Sequence, residues 1–426
     1  MTGALASAAR RAGRPGRVLL HSARDDDGCG RCSYVASDPV QTIEARGRRV
    51  VVRDASGAVQ VDADADPFDV LEELSATRTA IGYLGYDLGR LIEACGSPVG
   101  HGAVPDTPVP DMWFGLYDDV ERFDAADEPP PATGPAPVLG ELRSEWSDAD
   151  YRRAVRRALD YIEAGDVYQV NLARRLRATI ERDGDALAIY ASLLAHSPCA
   201  YGALIETPDA RIVSGSPERF LSREPGTDRL ETRPIKGTRR RTGDPARDAA
   251  AAADLAADAK ERAEHLMIVD LERNDLGRVA VTGSVRVDSF ARIVELPTLY
   301  HAISTVSCTV RPDAGTAAIL RATFPGGSIT GAPKVRAMQI IDELEPTRRA
   351  IYTGAIGRLA PNGAIDLAIA IRTAVLTNNT LHLHVGGGIV ADSTPDRELE
   401  ETEEKAAAWG DVVKFFSFRQ PPHDSG

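Results

Sequence analysis

The chain has 426 residues, 43% hydrophobic and 27% charged, with a formal net charge of −13. This is the composition of a soluble globular protein long enough for one large or two medium domains, and its acidity argues against a nucleic-acid partner. No apolar run reaches membrane-spanning length, and five scattered cysteines point to a reducing cytoplasm without a disulfide framework.

Residues 1–17 are rich in Ala and Arg with no apolar segment after them, and read as a disordered leader. From Val18 to 126 the pattern is of short strands and helices. Val50-Val51-Val52 and Val59-Gln60-Val61 flank Asp54-Ala55-Ser56-Gly57 and predict a hairpin. Phe68 to Leu74 predicts a short amphipathic helix, and Ile81 to Tyr86 a glycine-punctuated strand. Asp127 to Pro137 holds five prolines, so 127–140 reads as a semi-rigid linker. A second region follows over 145–417, with a disordered tail at 418–426.

This region opens with a helix capped by Ser147 and patterned by Tyr151, Val155, Leu159 and Ile162. Val167 to Leu176 predicts a strand. One long alanine-rich helix is expected from Pro245 to about Arg273, and another from Pro333 to before Pro346. From Ile351 onward, turns at Pro361-Asn362-Gly363 and Asn378-Asn379 separate three strands of one antiparallel meander, and a last helix starts at Pro395. The class is therefore α+β.

Several places carry chemistry. Lys236 stands between Pro234, which fixes the backbone, and Gly237, which frees it. Desolvation in a cleft favours the free amine, a nucleophile; the bland alternative is a loop lysine. Glu261 with Glu264, and Glu398 with Glu401 and Lys405, each share a helix face. Facing one cleft, Glu264 and Glu401 are hard oxygen ligands of the kind Mg²⁺ prefers; otherwise these are exposed ion pairs. Phe324 to Lys334 opens a helix, and Gly386-Gly387-Gly388 precedes one, so both are anion-binding or plain turns. Glu218 in Ser216-Pro217-Glu218 has the setting of a general acid or base. Arg372 has the parity opposite to Ile365, Leu367, Ile369 and Ile371, which lets it grip a carboxylate.

Together these stretches resemble the chorismate-utilising enzymes. The likeness spans Tyr151 to Phe416, through Tyr168-Gln169-Val170-Asn171-Leu172, Pro234-Ile235-Lys236-Gly237-Thr238, Leu266 to Asp275, Phe324 to Pro333, Ile371-Arg372-Thr373 and Gly386 to Lys405. It is weaker before the linker, where Cys32 replaces the usual aromatic in Gly30-Arg31-Cys32-Ser33-Tyr34. That departure puts in doubt the bound structural tryptophan of some members.

The resemblance implies a large α/β sandwich with layered antiparallel sheets and outer helices, and makes 145–417 the chorismate-binding catalytic region. It implies Mg²⁺ held by Glu264 and Glu401 with Glu261 and Glu398 in support. Gly237 and Thr238 would line the substrate site beside Lys236. Tyr352, Arg372, Gly387 and Gly388 would hold the enolpyruvyl carboxylate, with His301 over the ring and Lys405 near the metal side. Gln169 stands where water-adding members carry a lysine base, which opposes hydration chemistry. Lys236 stands where anthranilate-forming members carry alanine, which points to the C4-aminating branch with Lys236 as nucleophile and Glu218 as acid. No cysteine sits in an amidotransferase elbow, so ammonia would come from a separate glutamine amidotransferase subunit. The alternatives are anthranilate formation and a non-catalytic homologue.

Overall fold

Period-two alternation assigns the layers. In the strand Val18–His21, Val18 packs toward a second sheet and Leu19 toward helices. Likewise Ala203 and Ile205 face one way and Leu204 the other, as do Ile212 and Val213. In this computed structural model residues 3–23, 28–93, 107–124, 134–297 and 299–417 are described. Among them two antiparallel sheets, of eleven and twelve strands, form a sandwich with helices packed outside it. The expected α+β class is therefore observed. No helix among these residues is long and apolar enough to cross a membrane.

The first sheet runs from Gln169–Arg182 through Thr380–Ile389, Thr373–Thr377 and Arg211–Ser216 to Val18–His21. The second runs from Ile235–Arg240 through Leu299–Thr309, Arg219–Arg223 and Ile365–Ile369 to Thr79–Leu84 and the hairpin of Arg49–Asp54 with Val59–Asp64. Strands from before residue 126 thus enter both sheets, and the two regions read from the sequence share one layered core.

Several expectations are corrected. The leader is not without structure: Ala4–Arg10 is a helix with Leu5 and Ala8 fully buried. Burying Leu5 alone is worth about 1.5–3 kcal/mol. Arg17, also buried, pairs with Asp185 at 2.6 Å and Glu206 at 2.8 Å. Within the expected linker, Val138–Leu139 is a strand on Gln169–Arg182, while 125–133 and the tail 418–426 lie outside the described residues.

The alanine-rich helix is two helices, Pro245–Ala257 and Ala259–Gly277. Asp258 takes extended backbone between them, and its carboxylate accepts the Glu261 amide at 3.0 Å. A capping side chain inside a helical run outcompetes the helix locally.

The meander is also divided. Ala355–Leu359 and Ile365–Ile369 belong to the second sheet, while Thr373–Thr377 and Thr380–Ile389 belong to the first. Arg372 lies at the crossover with φ +51, not within a strand, so strand parity does not apply to it.

Candidate active site

Lys236 leaves its strand at an irregularity. Ile235 pairs with Ile303 and Thr238 with His301, and the register shifts between them. Gly237 takes φ +88 there, and such a bulge turns a side chain out of the ladder. A Cβ on Gly237 would meet Leu255 at 2.9 Å and Glu261 Oε2 at 3.2 Å, so the two helices close over this loop. The Lys236 carbonyl lies 3.4 Å from His265 Nδ1.

The lysine amine lies between the Glu264 carboxylate and Gly388. Its Nζ is 3.3 Å from Glu264 Oε2 and 3.0 Å from where a Cβ on Gly388 would stand. A Cβ on Gly387 would be 2.8 Å from Glu398 Oε2 and 3.3 Å from Glu401 Oε1. Side chains at either glycine would crowd these groups. Both glutamate pairs, Lys236 and the two glycines are therefore brought together. Gly386 to Gly388 form no turn: they pair with Ala173, Leu172 and Asn171 in the sheet.

Lys405 Nζ donates to Glu401 Oε1 at 2.6 Å and to the Gly386 carbonyl at 2.7 Å. Burial raises the Glu401 carboxyl, but the Lys405 charge and hydrogen bond, with Lys236, outweigh it and hold the group below its usual range. Burial, with Glu401 beside it, pushes Glu398 up, and burial with Glu264 does the same to Glu261. Glu398 Oε2 is buried without a hydrogen-bond partner, as are both amide atoms of Gln169. Orphaned polar atoms at a cleft are groups that await a ligand.

Glu218 is buried behind the lysine. Burial pushes its carboxyl up to about 7 against the Ser328 hydroxyl, the Ile235 amide, Lys236 and Lys405. Ser328 Oγ donates to Oε1 at 2.8 Å. Such a carboxyl keeps its proton near neutrality.

The remaining predicted residues spread around this centre. Thr238 Oγ1 is 2.9 Å from His301 Nδ1, and both side chains come from paired strands. Tyr352 is buried, stacked on His384 at 5.4 Å between ring centroids. Arg372 Nη1 reaches Ser197 Oγ at 3.5 Å, and the Arg372 carbonyl accepts from Trp409 Nε1 and the Gly215 amide at 3.1 Å each.

Sequence reasoning missed Glu272, Asp275 and Lys334, all buried beneath the site. The signal was present: Glu264, Ile268, Glu272 and Asp275 follow helical spacing on one face. The Gly327 amide, expected to bind an anion, is taken by Glu272 Oε1 at 3.1 Å.

Comparison with known proteins gives a match of the chorismate binding enzyme family to residues 17–410. The chain belongs to this family. It is 37% identical to the aminodeoxychorismate synthase component 1 of Salmonella typhimurium, over 92% of this chain and 91% of that one. It is 46% identical to the anthranilate synthase component 1 of Aquifex aeolicus, over 64% of this chain and 54% of that one. The anthranilate synthase component I structure from Streptococcus pneumoniae superposes with a TM-score of 0.78 at 31% identity, covering 89% of this chain and 92% of that one.

The donor set of this chorismate-binding enzyme suits a hard divalent cation. Its carboxylates are oxygen donors, one of them with an orphaned buried oxygen. Among the described residues no three His, Cys, Asp or Glu side chains form a metal-holding group. Magnesium asks less than that: one or two protein carboxylates, the rest being water and ligand oxygens.

Proposed function

We propose that this chain is an aminodeoxychorismate synthase component I, converting chorismate and ammonia to 4-amino-4-deoxychorismate. The observation that carries this reading is the Lys236 amine set against Gly388 and Glu264, near the buried Glu218 carboxyl, which burial pushes up to about 7. The near full-length similarity to proteins of that name supports it.

Chorismate binds with its ring carboxylate toward Glu264 and Glu401 and its enolpyruvyl carboxylate toward Tyr352, Arg372 and the amides of Gly387 and Gly388. Thr238 and Gly237 flank the ring, and His301 covers it. Lys236 Nζ forms a bond to C2, the ring double bonds shift, and the C4–O bond breaks. Glu218 gives its proton to the departing hydroxyl, which leaves as water. Ammonia then bonds to C4, the double bonds shift back, and the C2–Nζ bond breaks. The chain's part is to hold these atoms in reach and to stabilise charge in a water-poor cleft.

Glu264 and Glu401 would hold Mg²⁺, with Glu261 and Glu398 in support. When bound, the ion supplies positive charge for the ring carboxylate. Ammonia comes from glutamine through a separate amidotransferase subunit, and the product serves para-aminobenzoate and folate synthesis.

The test is product analysis with chorismate, ammonium and Mg²⁺. Formation of 4-amino-4-deoxychorismate supports the reading. Anthranilate as the main product, or no turnover at all, removes it.

A further inference from the structure

Beneath the site is a buried polar group that the reaction above does not use. The helix Ala259–Gly277 carries Glu264 at the cleft, and two turns on it carries Glu272, which is 3% exposed. Glu272 Oε1 accepts the Gly327 amide at 3.1 Å. The next residue is Ser328, whose hydroxyl donates to Glu218 at 2.8 Å. The contact chain is Glu272, the Gly327–Ser328 turn, then Glu218.

We propose that Glu272 is a positioning residue for Glu218: it pins the Gly327–Ser328 turn where the Ser328 hydroxyl meets the acid. The proposal rests on the reading of Glu218 as the general acid. A carboxyl in a core costs free energy unless it is bonded, and an apolar side chain would fill the same space. This one is bonded to the turn that touches the acid. The fit is close. A Cβ on Gly327 would stand 2.7 Å from Leu271 Cδ2 and 3.1 Å from Glu272 Oε1, so an added methyl would push on the Leu271 side chain and on the Glu272 contact.

Charged groups face this chain from each side. Asp275 and Lys334 stand beside Glu272, with Lys334 Nζ donating to Asp275 Oδ2 at 2.5 Å and to the Thr323 carbonyl at 3.2 Å. Glu218 faces Lys236 and Lys405 on its other side, and receives the Ile235 amide. Lys334 is committed to Asp275 and Thr323, and Glu272 meets the turn through the Gly327 amide.

The readout is the pH profile of kcat with saturating chorismate and ammonia. The Ser328 hydrogen bond favours the ionised form of Glu218, so losing it moves the alkaline limb to higher pH, by roughly 0.5–1 unit. Glu272→Met should produce that shift. Glu272→Gln keeps an accepting oxygen and should restore the wild-type limb. Ser328→Ala should shift the limb as Glu272→Met does, and the double variant should shift it no further. If Glu272→Met does not fold, Gly327→Ala serves instead. It keeps Glu272 and forces a methyl between it and the turn, and the same upward shift is expected. Glu218→Gln should remove the limb. If it does so while Glu272→Met, or Gly327→Ala in its place, keeps the wild-type limb, the positioning role is wrong and the acid stands. A limb that survives Glu218→Gln overturns both.

Discussion

Lys236 Nζ lies 3.3 Å from Glu264 Oε2, so the proposed nucleophile and a proposed metal carboxylate are direct partners. Nucleophilic attack needs the free amine, so this ion pair bears directly on the proposed role of Lys236. The pair thus joins the proposed metal side of the site to the proposed nucleophile.

Lys236→Ala removes the amine and leaves Glu264, Glu401 and Arg372 in place. The variant should bind chorismate within a few-fold of wild type and lose the C4-aminated product. Chromatography of the reaction checks this, together with intact-protein mass spectrometry of the wild type given chorismate without ammonia, which should show an adduct on the Lys236 peptide. A variant that still makes the C4-aminated product at near wild-type rate ends the nucleophile assignment.

Glu264→Gln and Glu401→Gln keep shape and remove charge. Turnover should fall by about 100-fold or more, as expected for loss of a group that holds transition-state charge. Added Mg²⁺ should restore little. Stability should change little for Glu401→Gln, since its pair with Lys405 is 45% and 41% exposed, and such pairs are worth about 0–1 kcal/mol. Wild-type turnover of either variant in chelator-treated buffer would sink the metal assignment.

Ammonium salts should support turnover by the purified chain, and glutamine should not. Free ammonia rises with pH, while Glu218 loses its proton near pH 7. The rate per free ammonia should therefore fall as pH rises through 7, and Glu218→Gln should lose that fall. Efficient glutamine use by the chain without a second protein would contradict the partner assignment.

Glu218 also couples pH to stability. Its folded carboxyl is raised from 4.5 to about 7, so between those values the folded state binds a proton the unfolded state has lost. Stability from this group is therefore highest below pH 4.5, declines to about pH 7 and then levels. A gap of that size is worth about 3 kcal/mol. Glu218→Gln should match the wild type at pH 4.5 and exceed it at pH 8 by up to that amount. Equal denaturation midpoints for the two proteins across the range would show that the burial cost is absent.

The sequence by itself determined the α+β class, the capped helix at Ser147, the hairpin around Gly57, and the two helix faces bearing Glu261 with Glu264 and Glu398 with Glu401. These depend on local period and turn chemistry, which residue order carries directly. It also marked the backbone irregularity at Lys236, because Pro234 fixes the chain there and Gly237 frees it.

Other features come from partners remote in the chain. Arg372 reads as a strand residue from alternation alone, yet Ile369 and Thr373 belong to different sheets, and only the packing of those sheets puts a crossover between them. The Ala4–Arg10 helix lacks a strong local signal and is ordered by burial of Leu5 and Ala8. Glu218 differs from a solvated loop glutamate only through the tertiary burial that raises it. Glu272 reads as one more surface acid until the Gly327 turn, 55 positions later, packs against its helix. Periodicity is a property of neighbours in sequence. Desolvation and the pairing of distant groups are properties of the folded volume, and these decided which of the many acids and lysines share one cleft.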